Sequence, residues 1–247
     1  MPRITQTGIT NRLLRLLPGE AFEHIASDLK HVELPLGRPL VEANKVIECV
    51  YFIESGLASM VAVSSDGKRT EVGQIGYEGM TGYPVLLGTD RTPNQIFMQV
   101  SGYGLVLSTS RFHSLVANSE AHLIFLRYVH TRELQLANSA LAAARYSLHQ
   151  RLARWLLMCH DRLVVDDMPL THETLSSMLG VRRSGVTDQL HILEGMRAIK
   201  STRGNVRILN RQILIDVAGA SYGAPEVEYE RLLSSDRSIE VLISTEN

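Results

Sequence analysis

Hydrophobic and polar positions follow two rhythms along this chain, and the rhythm changes near residue 111. Residues 8–30 carry an apolar face of Leu13, Leu14, Leu16 and Leu17, broken by Pro18 and Gly19, which predicts short helices. From about 31 to 108 the apolar runs are short and β-prone. Val50-Tyr51-Phe52-Ile53 is one such run, stopped by Ser55-Gly56, and Leu57 to Val63 is another. Ser65-Asp66-Gly67-Lys68 then gives a hairpin turn, because glycine takes a positive φ at no steric cost. Glu71–Ile75 returns, and Ile96–Val100 and Gly104–Leu107 form two further strands around Ser101-Gly102. Many short strands at close spacing predict a β jelly-roll barrel.

The second rhythm is helical. Ser119 to Arg145 holds no proline and no glycine. Leu123, His130, Leu134, Ala137, Leu141 and Ala144 recur there at gaps of 7, 4, 3, 4 and 3, a heptad-like seam. A helix of about 25 residues is about 38 Å long, more than one small domain needs. It reads as a spine that joins two domains and pairs with its own copy, His130 being a polar seam residue that helps fix register. The alternative is an amphipathic helix packed only on its own barrel.

Beyond the spine, Thr171 is placed as a helix N-cap with Leu170 as its staple. Leu175, Met178 and Leu179 form an apolar face, and Gly180 permits the left-handed turn that ends a helix. A second helix, Arg182 to Gly195, buries Val186, Leu190 and Leu193 and turns Arg182, Arg183, Ser184, Thr187, Asp188 and His191 outward. Polar residues clustered in its first half are what a helix needs to enter a DNA major groove N-terminus first. Ile199 to Leu209 reads as a hairpin with Arg203 near its tip, which completes a winged helix.

Charge sharpens this picture. The 247-residue chain has a formal net charge of -1, yet residues 147–212 hold ten Lys and Arg against six acids. A near-neutral protein thus carries a basic module, the electrostatic footprint of nucleic-acid binding. The first twenty residues lack the apolar core of a secretory signal. Thr92–Ser110, the longest stretch that could mimic a membrane span, contains Pro93, Gly102 and Gly104 and alternates like strands. Two cysteines, Cys49 and Cys159, are too few for a disulfide framework, a four-thiolate iron–sulfur cluster or a four-cysteine zinc site. Burial predicts an inert thiol for both.

Four segments together resemble the CRP/FNR family of bacterial transcription regulators, over about residues 8 to 222. They are Val50-Tyr51-Phe52-Ile53-Glu54-Ser55-Gly56, Gly76-Tyr77-Glu78-Gly79-Met80-Thr81-Gly82, Leu152-Ala153-Arg154-Trp155-Leu156-Leu157, and the winged helix. The resemblance implies an α+β chain with an N-terminal β jelly-roll barrel, a long dimerisation helix and a C-terminal winged helix-turn-helix. The boundaries expected are 1–118 for the sensor domain with its short N-terminal helices, 119–146 for the dimerisation helix, 147–222 for the winged helix and 223–247 for a C-terminal tail. In that tail a short helix is expected around Val227–Leu233, followed by fraying. The implied partners are palindromic double-stranded DNA, a second copy through Leu123, His130, Leu134, Ala137, Leu141 and Ala144, RNA polymerase, and a small-molecule effector of unassigned chemistry. The implied location is the cytoplasm. Bases would be read by Arg183, Ser184, Thr187 and Asp188, and phosphates held by Thr171, Arg182 and Arg203. Ser184 and Asp188 depart from the Glu and Arg of the family's best-studied member, which puts the usual half-site in doubt.

The effector pocket falls on Gly79, Met80, Thr81 and Gly82, with Asn94 and Gln95. Cyclic AMP, the fold's best-known ligand, needs an acid, an Arg-Ser pair and helix hydroxyls. Here Met80 and Thr81 replace the acidic turn, Thr92-Pro93-Asn94-Gln95 replaces the pair, and Leu136 and Ala137 replace the hydroxyls. A phosphate wants a charged donor fork, so cyclic AMP is not the expected ligand. The other reading is a cupin-like barrel enzyme, or a small-molecule-binding protein without a DNA function. A cupin metal site needs converging histidines, and Val32 to Arg111 contains none. No catalytic residue, no metal and no cofactor is therefore predicted.

Overall fold

The computed structural model describes residues 4–234. Helices α1 (Arg12–Leu16) and α2 (Gly19–Ala26) lead into five strands: β1 (Lys30–Leu34), β2 (Pro39–Val41), β3 (Cys49–Val63), β4 (Arg69–Ile75) and β5 (Gln95–Ser108). The sheet is antiparallel in the order β1-β5-β3-β4, with β2 also on β5. Its core joins Leu13, Phe22 and Ile25 to Phe52, Met60, Leu105 and Phe125.

Two pairs of expected strands are fused. Val50–Ile53 and Leu57–Val63 are one strand, β3, and Ile96–Val100 and Gly104–Leu107 are one strand, β5. The glycines bend these strands instead of ending them. Gly56 has φ +86°, and a Cβ there would lie 2.7 Å from the Val100 carbonyl oxygen; one on Gly102 would lie 2.0 Å from that of Ser55. The backbones therefore approach more closely than any side chain allows, and the register shifts between Ile53 and Ala58.

Helix α3 (Thr109–Val116) precedes α4 (Ser119–Arg145), capped by the Asn118 side chain on Ala121 N–H. Helix α5 (Leu148–Leu163) follows, opened by a capping box between Ser147 and Gln150. The C-terminal unit adds β6 (Asp167–Met168), α6 (His172–Leu179), α7 (Arg183–Gly195), β7 (Ile199–Thr202), β8 (Asn205–Ile208) and α8 (Arg211–Ala218). Strand β6, too short to show in the sequence pattern, extends the hairpin to a sheet ordered β6-β8-β7. This unit's core includes Leu57, Val61 and Val100 of the large sheet, so the two ends of the chain share buried surface.

The helix expected around Val227–Leu233 begins earlier, as α9 (Ala224–Leu233). Tyr229 and Leu233 bury it in the N-terminal core, Tyr229 donates to the Glu78 carbonyl at 2.6 Å, and Arg12 pairs with Glu230. It is a docked element and not part of a loose tail; the fraying expected further on lies outside the described residues. Among the described residues no helix is long and apolar enough to cross a membrane.

Candidate nucleic-acid interface

The Thr171 hydroxyl accepts from Thr174 N–H at 3.0 Å and donates to the Thr174 hydroxyl, so its proton is taken up within the cap. Gly180, at φ +65°, turns the chain from α6 into α7. Leu175, Met178 and Leu179 meet Val186, Leu190 and Leu193 in one core. The opposite face presents Arg182, Arg183, Ser184, Asp188 and His191 to solvent. Arg182 is the N-cap of α7 and makes no side-chain cap bond. The Arg183 guanidinium comes 3.9 Å from Glu173 across the turn, with both side chains largely exposed. Thr187 differs from its neighbours: its hydroxyl donates to the Arg183 carbonyl at 3.1 Å and meets His172 Nδ1 at 2.9 Å, so its proton is already taken up within the fold. Arg203 and Gly204 form the turn of the hairpin, Gly204 at φ +79°, with Arg203 exposed at the tip. His172, Ser201 and Glu194 carry no signal in the sequence; only contacts across the fold reveal their role.

The seam residues of α4 lie on its outer side. Leu123 is 48% exposed and Leu141 49%; His130, Ala137 and Ala144 are exposed and Leu134 is half-buried. Phe125, Tyr128, Thr131, Arg132 and Gln135 occupy the inner side. The helix thus has two apolar faces, one of them uncovered within a single chain. His130 also approaches Glu133 and, on α9, Glu228.

The six residues expected to line an effector pocket do not come together. Gly79 to Gly82 lie beside the start of β3, where Met80 bridges Phe52 and Thr81 N–H donates to the Tyr51 carbonyl. Gln95 pairs with Val61 at the other end of β3, and Asn94 precedes it. Tyr128 fills the space over Gly79, where a Cβ would meet its hydroxyl at 2.4 Å. That hydroxyl donates to the Met80 carbonyl at 2.9 Å and accepts from Met80 N–H at 3.1 Å. Met80 and Thr81 are fully buried. A tyrosine from the spine is therefore packed directly on this turn. A cleft of 480 Å³ lies on the other side of Tyr128, between α4, the end of α5 and α9, and Tyr77, Glu78, Arg132, Arg162, Tyr222 and Tyr229 are among its walls.

Polar groups also stitch the sheet to the C-terminal unit. Arg162 of α5 donates to Glu78 at 2.8 Å and to the Met158 carbonyl at 2.9 Å. Trp155 Nε1 donates to Glu71 of β4 at 2.6 Å; Ser59 and Gln74 also donate to this carboxylate. Burial pushes the Glu71 carboxyl up to about 7, against the hydrogen bonds that favour its ionised form. Cys159 is fully buried, and burial pushes its thiol well up. Among the described residues no three His, Cys, Asp or Glu side chains converge to hold a metal ion.

A family model described as a cyclic nucleotide-binding domain matches residues 31–119, and one described as a Crp-like helix-turn-helix domain matches residues 150–217. No curated protein matches the chain. Several solved structures share its fold. FixK2 from Bradyrhizobium japonicum is 16% identical with a TM-score of 0.67, over 77% of this chain and 98% of that one. A CRP-family transcriptional regulator from Thermus thermophilus is 18% identical with a TM-score of 0.64, over 79% and 99%. The c-di-GMP responsive global regulator CLP from Xanthomonas campestris is 15% identical with a TM-score of 0.63, over 77% and 99%.

Proposed function

A cyclic nucleotide-binding domain followed by a Crp-like helix-turn-helix domain makes this chain a member of the CRP/FNR family of transcription regulators, and from that premise we propose that it works as a homodimer reading a palindromic DNA site. The observation that carries this reading is the outward face of α7, where Arg182, Arg183, Ser184 and Asp188 stand exposed beside a wing tipped by Arg203. Charged groups left in water by their own chain suit a partner that brings phosphates and base edges. Two-fold symmetry would put half-site centres about 34 Å apart, one turn of DNA. The second copy would cover the outer face of α4, closing Leu123, Leu134, Ala137 and Leu141 against their counterparts. Such a dimer acts in the cytoplasm, where it meets DNA and RNA polymerase, and performs no catalysis.

The effector, on this reading, is not cyclic AMP, because Tyr128 stands over Gly79 and Met80. Selection of bound sequences from a random DNA pool, run alone, with cyclic AMP and with cell extract, tests the function. Enrichment of a palindrome is expected, with cyclic AMP leaving it unchanged; no enrichment under any condition overturns the reading. The dimer has its own check. Leu134→Lys with Leu141→Lys puts charges into the seam and is expected to give monomers by sedimentation.

A further inference from the structure

His172 opens α6, and its half-buried imidazole lies between the recognition helix and the wing. Nδ1 is 2.9 Å from Thr187 Oγ1 on α7, and Nε2 is 3.2 Å from Ser201 Oγ on β7. Thr187 Oγ1 already donates to the Arg183 carbonyl. A hydroxyl has one proton, so Thr187 accepts from His172 and Nδ1 carries the hydrogen. In the neutral ring Nε2 is then the acceptor, and the Ser201 hydroxyl donates to it. A second tie runs beside the first: Ser201 N–H donates to Glu194 Oε1 at 2.8 Å. Thr187 and Glu194 stand two turns apart on one side of α7. The wing strand is therefore held along the recognition helix at two heights, and one of the two ties passes through the imidazole.

Resting on the DNA-reading function above, we propose that His172 is a positioning residue for sequence recognition: it locks the wing to the recognition helix. Arg183 at the helix start and Arg203 at the wing tip then meet one duplex in a fixed register. With its proton on the Arg183 carbonyl and a lone pair taken by the lock, Thr187 has no donor left for the DNA, so donor readout at α7 falls to Arg183 and Ser184, with Asp188 as an acceptor. Loss of the imidazole would have two consequences. The wing, still paired to β6 and packed through Ile199, Val206 and Ile208, would keep only the Glu194 bond of the two polar ties to α7 and lose its fixed angle, and the Thr187 oxygen would regain a lone pair near the reading face. Both act on the preference for one sequence over another, not on the general attraction of a basic surface for phosphates.

The test uses the full chain, titrated on its selected site and on a scrambled duplex. His172→Ala is compared with His172→Asn, whose amide reaches the place of Nδ1, and with His172→Gln, whose amide reaches the place of Nε2. His172→Ala is expected to weaken the selected site about tenfold and the scrambled duplex less than about twofold, as the loss of two modest hydrogen bonds implies. Each amide variant should recover part of that loss. In the His172→Ala background, Ser201→Ala should cost nothing further, because the two residues act as one unit. A His172→Ala variant that binds both duplexes like the wild type, or loses both equally, overturns the proposal. So does a Ser201→Ala effect that persists in full in that background. A wild-type chain that prefers no sequence overturns the functional reading and this proposal with it, whereas a selective wild type with an unchanged His172→Ala overturns this one alone.

Discussion

Arg162 and Arg183 carry the same guanidinium group in opposite surroundings. Arg162 is 9% exposed, bonded to Glu78 and to the Met158 carbonyl at the junction between the sheet and α5. Arg183 is 68% exposed, and the carboxylate it approaches, Glu173, is itself 80% exposed and 3.9 Å away. Burial opposes the Arg162 charge, yet Glu78, Glu226 and Asp161 outweigh it and hold the group protonated. A charge taken out of water must find its partners inside the chain, and those partners then dictate where α5 sits on the sheet. A charge left in water beside one loose partner dictates nothing about its own fold and remains available to another molecule. The junction thus specifies an arrangement of domains, and the recognition surface specifies a partner.

The sharpest way to break this comparison is to treat the buried arginine as if it were an exposed one. Arg162→Met leaves Glu78, 13% exposed, with Gly76 N–H as its remaining hydrogen-bond donor among the described residues. A loss of about 3–5 kcal/mol of stability is expected, the usual result of breaking a buried pair from one side. Adding Glu78→Gln should recover a large part of it. Urea midpoints of the two variants give the answer; a single-variant loss under about 1 kcal/mol would place Arg162 among surface charges.

The second test lies at the same junction and reads a proton. Glu71 has its ordinary carboxyl value near 4.5 in the unfolded chain and about 7 in the folded one. Between those values the folded state keeps a proton that the unfolded state has released. Stability therefore falls as pH rises from about 4.5 to 7 and is level above that, by about 3 kcal/mol in all. Glu71→Gln keeps a neutral group in place and should remove most of that slope. Trp155, the one tryptophan of the chain and a direct partner of Glu71, reports the transition by fluorescence. An unchanged slope in Glu71→Gln would assign the pH dependence to other groups.

The two regions also differ in how far the sequence discloses them. The recognition surface is local: Thr171, Gly180, and Val186, Leu190 and Leu193 lie within one short segment. Capping and helical spacing alone predict its two helices and its exposed face. The junction is not local. Trp155 meets Glu71 and Arg162 meets Glu78 across 84 residues of chain, and no periodicity records such a pairing. The fusion of β3 and of β5 escapes the pattern for the same reason. Gly56 and Gly102 read as stops, whereas the close approach of Ser55 to Gly102 makes them bends. The packing of Tyr128 on the Gly79–Met80 turn depends likewise on a contact from another element. His172 lies inside the motif but shows its role only once Ser201 is brought beside it.

The smallest expected effects lie on the exposed side, and they separate two exposed arginines from one another. Arg183 stands at the first position of α7, where a guanidinium can bond the O6 and N7 edge of a guanine with two parallel donors. Arg203 stands at the hairpin turn, where on the proposed function it would meet a phosphate and no base edge. Both are exposed, so neither substitution should move the unfolding midpoint by more than about 0.5 kcal/mol. Arg183→Ala should weaken the selected site by about 1–3 kcal/mol and relax the preference at one base pair, leaving scrambled DNA nearly unaffected. Arg203→Ala should weaken every duplex alike and reduce the salt dependence by about one counterion. Titrations at several salt concentrations, on the selected site and on single-base substitutions of it, resolve the two patterns. If Arg183→Ala lost affinity uniformly with its base preference intact, both arginines would be phosphate contacts, and the reading of bases would rest on Ser184 and Asp188.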